Sequence, residues 1–308
     1  HPKENKSFPA EESIFPERLK EMVVFRELSS GLKIKVLREG SFHFDFTDWK
    51  PGSAITDNSS HEERLEKWLI RVHLIHTFLV CLYTQATINK DGFFPKIVMS
   101  TQELRTTRSF LDQQSQSFSN KFIRQLFDLK KAKEPYHVTD WRFGQTVVSK
   151  DSVENAINQL EYILAQQGED SLVMFDLLNR AYKAYEDHDY SNSLISSWII
   201  IENIVTKIWE DYIQRNRETS SDGKKEIFIN SKRKEKLLSH TNFTISSVIE
   251  ILSLLGILSL DTYKEIEAVR STRNKWMHDM KPIPDEIALK SIRISESLIS
   301  FVFRTRIY

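Results

Sequence analysis

Between residues 23 and 46 apolar side chains alternate with polar ones, whereas from residue 60 onward they recur every three to four residues. Alternation suits a strand with one face buried, and the longer spacing suits a helix, so one kind of element cannot serve both stretches. The change of period makes the N-terminal part α+β, and with 308 residues the chain is expected to be mainly α in two domains, an N-terminal α+β domain over 1–168 and a C-terminal all-α helical bundle over 169–308. Val23, Val24 and Phe25, then Leu32, Ile34 and Val36, then Phe42, Phe44 and Phe46 are separated by Ser29-Ser30-Gly31 and Glu39-Gly40, which predicts a small antiparallel meander. Core packing is the expected role of the three phenylalanines, with base stacking on a sheet surface as the alternative.

Ser59 or Ser60 is expected to open a long helix running through Ala86. Its greasiest stretch, Trp68 to Tyr83, is interrupted by Arg71, His73 and His76 and predicts a core helix in place of a membrane span. His73 and His76 are three apart, a spacing compatible with metal ligation, but no carboxylate or further histidine nearby completes a set. No metal and no cofactor is therefore expected. The single cysteine, Cys81, excludes an intrachain disulfide and fits a reducing cytoplasm. The charged, polar start has no apolar segment of the kind a signal peptide needs.

Further along, Phe93 to Met99 reads as extended, Thr101 to Gln116 as a polar helix and Asn120 to Leu129 as an amphipathic one. Tyr136 to Val148 reads as a strand or loop. Asp151 or Ser152 is expected to cap a helix to about Gln167, and Gly168-Glu169-Asp170 to form the domain boundary. The 43 basic and 43 acidic residues cancel, so the chain has no overall charge suited to tight, non-specific nucleic-acid binding. Any such contact must be local.

Two helical runs in the C-terminal part carry ionisable residues beside apolar stripes. In Ser191 to Ile213, Ile195, Trp198, Val205 and Trp209 all project within about 60° of Glu202, which predicts a buried carboxylate. The other run starts near Asp261, a candidate N-cap, and continues through Tyr263, Ile266, Val269, Trp276 and Met280 until Pro282 and Pro284 stop it. It holds Arg270-Ser271-Thr272-Arg273-Asn274-Lys275-Trp276-Met277-His278, and on a helical projection Arg270, Arg273, Asn274 and His278 share an arc of roughly 140° bordering the stripe. A guanidinium held beside apolar neighbours requires a counter-charge, and a pair between Glu202 and Arg270 or Arg273 would satisfy both partners.

Arg273-Asn274, three further residues and His278, on the penultimate helix of a helical segment that also carries Glu202, resemble the HEPN domain family (higher eukaryotes and prokaryotes nucleotide-binding). The resemblance covers roughly residues 170–308. It implies an HEPN-like helical bundle and metal-independent endoribonuclease activity, in which the 2′-hydroxyl attacks its own phosphodiester and leaves 2′,3′-cyclic phosphate ends. The residue types suit that chemistry. His278 would move protons near neutral pH, and the planar fork of Arg273 would hold the crowded, doubly charged phosphorane. Asn274 would orient His278 one turn away, Glu202 would hold Arg273, and Arg270 would be a second phosphate contact. The resemblance also implies a homodimer through the helical domain, RNA as substrate, no membrane association and a cytoplasmic role in antiphage defence, toxin–antitoxin systems or stress response, with an antitoxin or activating partner.

From Arg215 to Lys236 the sequence reads as a charged loop, in which Arg215, Arg217, Lys224, Lys225, Lys232, Arg233, Lys234 and Lys236 face only Glu218, Asp222, Glu226 and Glu235. Arg215, Arg217, Lys232, Arg233 and Lys234 are the candidate contacts to an RNA backbone, and such contacts would be salt-sensitive. The competing expectation is a non-catalytic HEPN-like dimerisation and interaction protein, or a nucleotide-binding regulator.

Overall fold

The computed structural model describes residues 21–38, 40–53, 60–91, 96–99, 105–110, 113–117, 148–167, 170–216, 218–221, 224–227, 229–239 and 242–307. These divide into two compact units. One holds the described residues within His1–Pro95 and Met99–Leu172, and the other holds Lys96–Val98 and those within Val173–Tyr308. The chain is mainly helical, with a small antiparallel sheet near the N-terminus.

In the first unit, β1 (Met22–Glu27), β2 (Lys33–Leu37) and β3 (Phe42–Asp45) form the expected meander. The register sets Val24 opposite Val36 and Ile34 opposite Phe44, so the alternating apolar residues share a face. Gly31 makes the first turn possible. Its φ is +87°, and a Cβ there would lie 2.5 Å from the Asp48 carbonyl oxygen.

Helix α1 (His61–Ile88) opens on a reciprocal cap, in which the Glu63 amide donates to Ser60 Oγ and the Ser60 amide donates to Glu63 Oε2. From Arg71 to Tyr83 nearly every residue is buried. Phe78 meets the rings of Phe42 and Phe44 edge-on at 5.1 and 5.5 Å, so these phenylalanines are core residues. By length and composition α1 is also long and apolar enough to cross a membrane, and 78% of that stretch is buried within the fold.

Helix α2 (Lys150–Gln167) packs on α1 through hydrogen bonds from Gln85 to Gln159 and from Asn89 to Ser152. Its cap is Ser149, whose Oγ accepts from the Ser152 amide, and not Asp151 or Ser152. Ser152 is itself fully buried against α1.

The stretch expected as a polar helix over 101–116 contains two strands, β4 (Arg105–Phe110) and β5 (Gln113–Ser117), which extend the sheet in the order β1-β2-β3-β5-β4. A helix here would have had no apolar stripe to bury, and the Thr106-Thr107 pair favours extended backbone. The edge of β3 satisfies the β5 backbone at His43 opposite Ser117 and Phe44 opposite Gln116. The elements expected at 120–129 and 136–147, and the first residues of the 93–99 segment, lie outside the described residues.

The second unit contains α3 (Asp170–Glu186, from Val173 on), α4 (Tyr190–Arg215), α5 (Ser231–Leu238), α6 (Ile245–Leu254), α7 (Leu260–Asp279) and α8 (Asp285–Phe303). Helix α4 is the centre, with α5, α6, α7 and α8 all packed on it. Ser193, Ser197, Ser291 and Ser295 are fully buried, small enough for α4 and α8 to approach closely, and the Ser295 hydroxyl donates to the Ser197 carbonyl at 3.1 Å.

The unit is not all-α as expected. A hairpin of β6 (Glu218–Ser221) and β7 (Lys224–Ile227) follows α4, and the Asp222-Gly223 pair between these strands is a sequence signal for such a turn.

Lys96–Val98 is part of this second unit. The Lys96 amide donates to Glu186 Oε2 at 2.9 Å, and Asn179 Nδ2 donates to the Ile97 carbonyl at 2.7 Å. The Lys96 ammonium lies 5.4 Å over the Tyr182 ring, whose hydroxyl donates to Glu296. Burial holds the Lys96 pKa below and the Glu296 pKa above their ordinary ranges.

Candidate functional site

Helix α7 carries the motif residues. Its cap is Ser259, whose Oγ accepts from the Thr262 amide at 3.1 Å, and Asp261, the expected cap, sits in the first turn where its charge favours the helix dipole. The helix stops before the prolines, because Met280 turns left-handed at φ 52° while its amide closes onto the Trp276 carbonyl.

The apolar stripe is shorter than expected. Ile266 and Val269 are buried, whereas Trp276 is only half-buried, Met277 is 47% exposed and Met280 is 77% exposed. The last two turns of α7 therefore stand at the surface of the unit.

Arg273 is half-buried, with its guanidinium carbon 6.0 Å over the ring of Trp198 on α4. Its Nη1 donates to Asn274 Oδ1 at 3.1 Å, and its Nε is buried without any hydrogen-bond partner among the described residues. Among those residues no carboxylate pairs with it. A buried guanidinium N–H left unsatisfied costs free energy that a bound anion would recover.

The carboxylate assigned to this task is elsewhere. Glu202 is partly exposed and pairs with neither Arg273 nor Arg270. The buried arc of α4 is centred on Ile201, with Leu194, Ser197, Ile204, Val205 and Ile208 around it. Glu202 falls about 100° off that centre, at the margin of the stripe.

Arg270 is committed to its own helix. Its Nε and Nη2 donate to the two carboxylate oxygens of Glu267, at 2.8 and 2.6 Å, and these bonds raise its pKa. It is therefore not a ready second phosphate contact. Asn274 is engaged with Arg273, not with His278 one turn on. His278 is exposed and makes no side-chain hydrogen bond among the described residues. Five residues separate it from Arg273, which turns it about 140° around the helix and sets it about 7.5 Å along it. One copy of α7 thus brings Arg273 and Asn274 together and displays His278 on an adjoining face.

Where it is described, the basic stretch expected as a loop consists mainly of the end of α4, the β6–β7 strands and α5. Arg215 is exposed in the last turn of α4, and Arg217 lies outside the described residues. After the hairpin, Asn230 caps α5 by accepting from the Arg233 amide at 2.9 Å. The indole N–H of Trp209 donates to the Leu237 carbonyl at 3.0 Å, and Lys234 Nζ donates to Gln214 Oε1 at 3.1 Å, so α5 is fastened to α4. Lys232, Arg233 and Lys236 remain exposed.

Outside α7, His76 is a fully buried core residue whose Nε2 accepts from the Met99 amide at 2.8 Å, which requires that nitrogen to be unprotonated. Cys81 is fully buried, and its thiol pKa is pushed well above the ordinary range by desolvation. The residue that sequence periodicity left without a role is Trp198, counted there only as part of an apolar stripe. Its pairing with a cation from another helix has no signature in local spacing.

No protein-family model, no curated protein and no solved structure matches this chain.

Proposed function

We propose that the chain is a metal-independent endoribonuclease of HEPN type. The observation that carries this reading is the half-buried Arg273, which lies over Trp198 with its Nε unsatisfied and no carboxylate paired to it among the described residues. A structural arginine would have an acid beside it, as Arg270 has Glu267. An arginine awaiting a phosphate has a reason to be left open.

In this reading the RNA 2′-oxygen attacks the adjacent phosphorus as its proton is withdrawn, the bond to the 5′-oxygen breaks, and the leaving oxygen takes up a proton. His278 serves the proton transfers, and Arg273 stabilises the phosphorane oxygens. Asn274 fixes the Arg273 fork through its Oδ1, a role the geometry favours over orienting His278. Arg270 and Glu202 take no direct part. Because Arg273 and His278 occupy adjoining faces of α7, the complete site is formed by two copies of the chain, and exposed Met277 and Met280 beside His278 supply apolar surface for that homodimer. The same methionines are what a purely dimerising, non-catalytic protein would also display, and that is the second reading. A cytoplasmic role in antiphage defence, toxin–antitoxin systems or stress response, with an antitoxin or activating partner, accompanies the first.

The test is cleavage of a labelled structured-RNA mixture in EDTA by wild type, His278→Ala and Arg273→Ala, with assembly state followed by light scattering. Products with 2′,3′-cyclic phosphate ends from wild type alone, at unchanged assembly state, are expected. Equal cleavage by the His278→Ala protein would sink the mechanism, and loss of assembly without any wild-type cleavage would favour the dimerising reading.

A further inference from the structure

Trp198 and Trp209 are eleven residues apart on α4. Eleven residues complete just over three full turns, so the two indoles leave the helix within about 20° of one direction and about 16 Å apart along its axis. Arg273 rests on the first. Helix α5 is fastened by its Leu237 carbonyl to the second, which is itself braced by ring contacts with Tyr212 and Phe243 at 5.9 and 6.0 Å. One face of one helix thus sets the distance and the bearing between the open guanidinium and a short basic helix.

Helix α5 carries Lys232, Arg233, Lys234 and Lys236 against a single carboxylate, Glu235. Lys232 and Lys236 are one turn apart, so they share a face, and both are exposed. Lys234 points the other way, to Gln214 on α4.

We infer that α5 is a docking site for the backbone of a single RNA strand, and that it holds the part of the substrate lying a few nucleotides from the phosphate bound at Arg273. The inference rests on the ribonuclease reading for the identity of the strand. The geometry adds a substrate requirement that the motif does not contain. At the roughly 3.4 Å rise per phosphate of a stacked strand, the 16 Å between the two indole anchors that hold these sites corresponds to about five nucleotides. Substrates shorter than that reach Arg273 but not α5, and longer ones engage both. An acidic protein segment would find the same lysines. The strand is favoured because the exposed lysines and the open guanidinium are both anchored on one face of α4, so a single continuous polyanion can meet both.

The experiment uses the full chain with His278→Ala, so that RNA is bound and not cut. Binding of a fluorescein-labelled 12-nucleotide oligouridylate is followed by anisotropy between 0.05 and 0.3 M salt, and an unlabelled trinucleotide is measured by competition against it. Lys232→Gln with Lys236→Gln removes two phosphate contacts, each of which contributes about 0.7 to the salt exponent for single strands. The expected result is a fall of about 1.4 in the exponent and a roughly 25-fold weaker 12-mer near 0.1 M salt, with the trinucleotide unchanged within two-fold. Circular dichroism and amide exchange in α5 check that the helix is still in place. An unchanged 12-mer affinity and slope in the folded double variant would overturn the inference, and so would equal weakening of both lengths. The ribonuclease reading has its own arm, since Arg273→Ala must weaken both lengths. If it weakens neither while the lysine pair weakens the 12-mer, the strand site stands and the cleavage site is wrong.

Discussion

Replacing Arg273 by methionine is expected to make the protein more stable and inactive at once. The methionine keeps an unbranched apolar stem over Trp198 while removing the guanidinium. In the wild type the Nε–H is buried with no acceptor among the described residues, which costs about 1–3 kcal/mol. Stacking on the Trp198 face at 6.0 Å returns about 0.5–1 kcal/mol, and the bond to Asn274 returns little because both groups are partly solvated. The difference leaves a net gain of about 0.5–2 kcal/mol for Arg273→Met, or a rise of a few degrees in the melting of the helical unit. Urea denaturation followed by circular dichroism, with the cleavage assay run on the same preparation, reads both quantities. A loss of more than about 1 kcal/mol would refute the reasoning, because it would mean that Arg273 is satisfied in the folded protein and is retained for packing. Glu267→Gln is the contrast, since Arg270 then loses the charge of a half-buried pair within one helix, and a change of no more than about 1 kcal/mol is expected.

Three further outcomes follow from the geometry. Burial raises the Glu296 pKa, so its protonated form is the one the fold favours; the stability it contributes is full below the unfolded carboxylate range and is lost as pH rises through the folded value. Glu296→Gln, which can still accept from Tyr182, should therefore be more stable than wild type at pH 7, with the gap closing in denaturant titrations toward pH 4. Trp209→Phe removes the donor to Leu237 and should cost about 1–2 kcal/mol, with faster amide exchange in α5 than elsewhere in the unit; uniform acceleration would count against an anchoring role. Gly31 and Gly40 share a φ of +87°, but only at Gly31 would a Cβ strike backbone. Gly40→Ala should lose about 1–3 kcal/mol from its conformation alone and Gly31→Ala clearly more, and equal melting temperatures for the two would contradict the clash.

What the sequence made legible is what local periodicity records. Ile34, Val36, Phe42 and Phe44 alternate because one face of a sheet is buried, and the Ser60–Glu63 pair announces a helix start. The polar strands Arg105–Phe110 and Gln113–Ser117 are not legible locally because they carry no apolar stripe of either period, and what fixes them is the edge of β3, far away in the chain. Glu202 was misplaced for a subtler reason. Ile195, Trp198, Val205 and Trp209 draw the expected stripe toward Glu202, whereas the core of α4 is centred on Ile201. Met280 shows the complementary error, since an apolar residue at the right spacing is buried only where a neighbouring helix reaches it, and α7 outruns its neighbours. The motif residues themselves were visible in sequence. Their surroundings, an indole under Arg273 and a carboxylate already taken by Arg270, depend on tertiary contacts and were not.

The three residues Lys96–Val98 bear on how this protein can be cut apart. A fragment beginning at Val173 contains the described helices of the second unit, yet it would leave the Asn179 side chain with neither polar atom bonded among the described residues, since the Ile97 carbonyl is the acceptor of Nδ2 and Oδ1 has no partner there. Glu186 would lose its backbone donor in the same stroke. The helical unit is therefore not a self-contained cassette. Any recombination that moved it to another chain would have to carry a tripeptide from some seventy residues upstream, and any expression strategy for it must supply that tripeptide, in the same chain or added as a peptide.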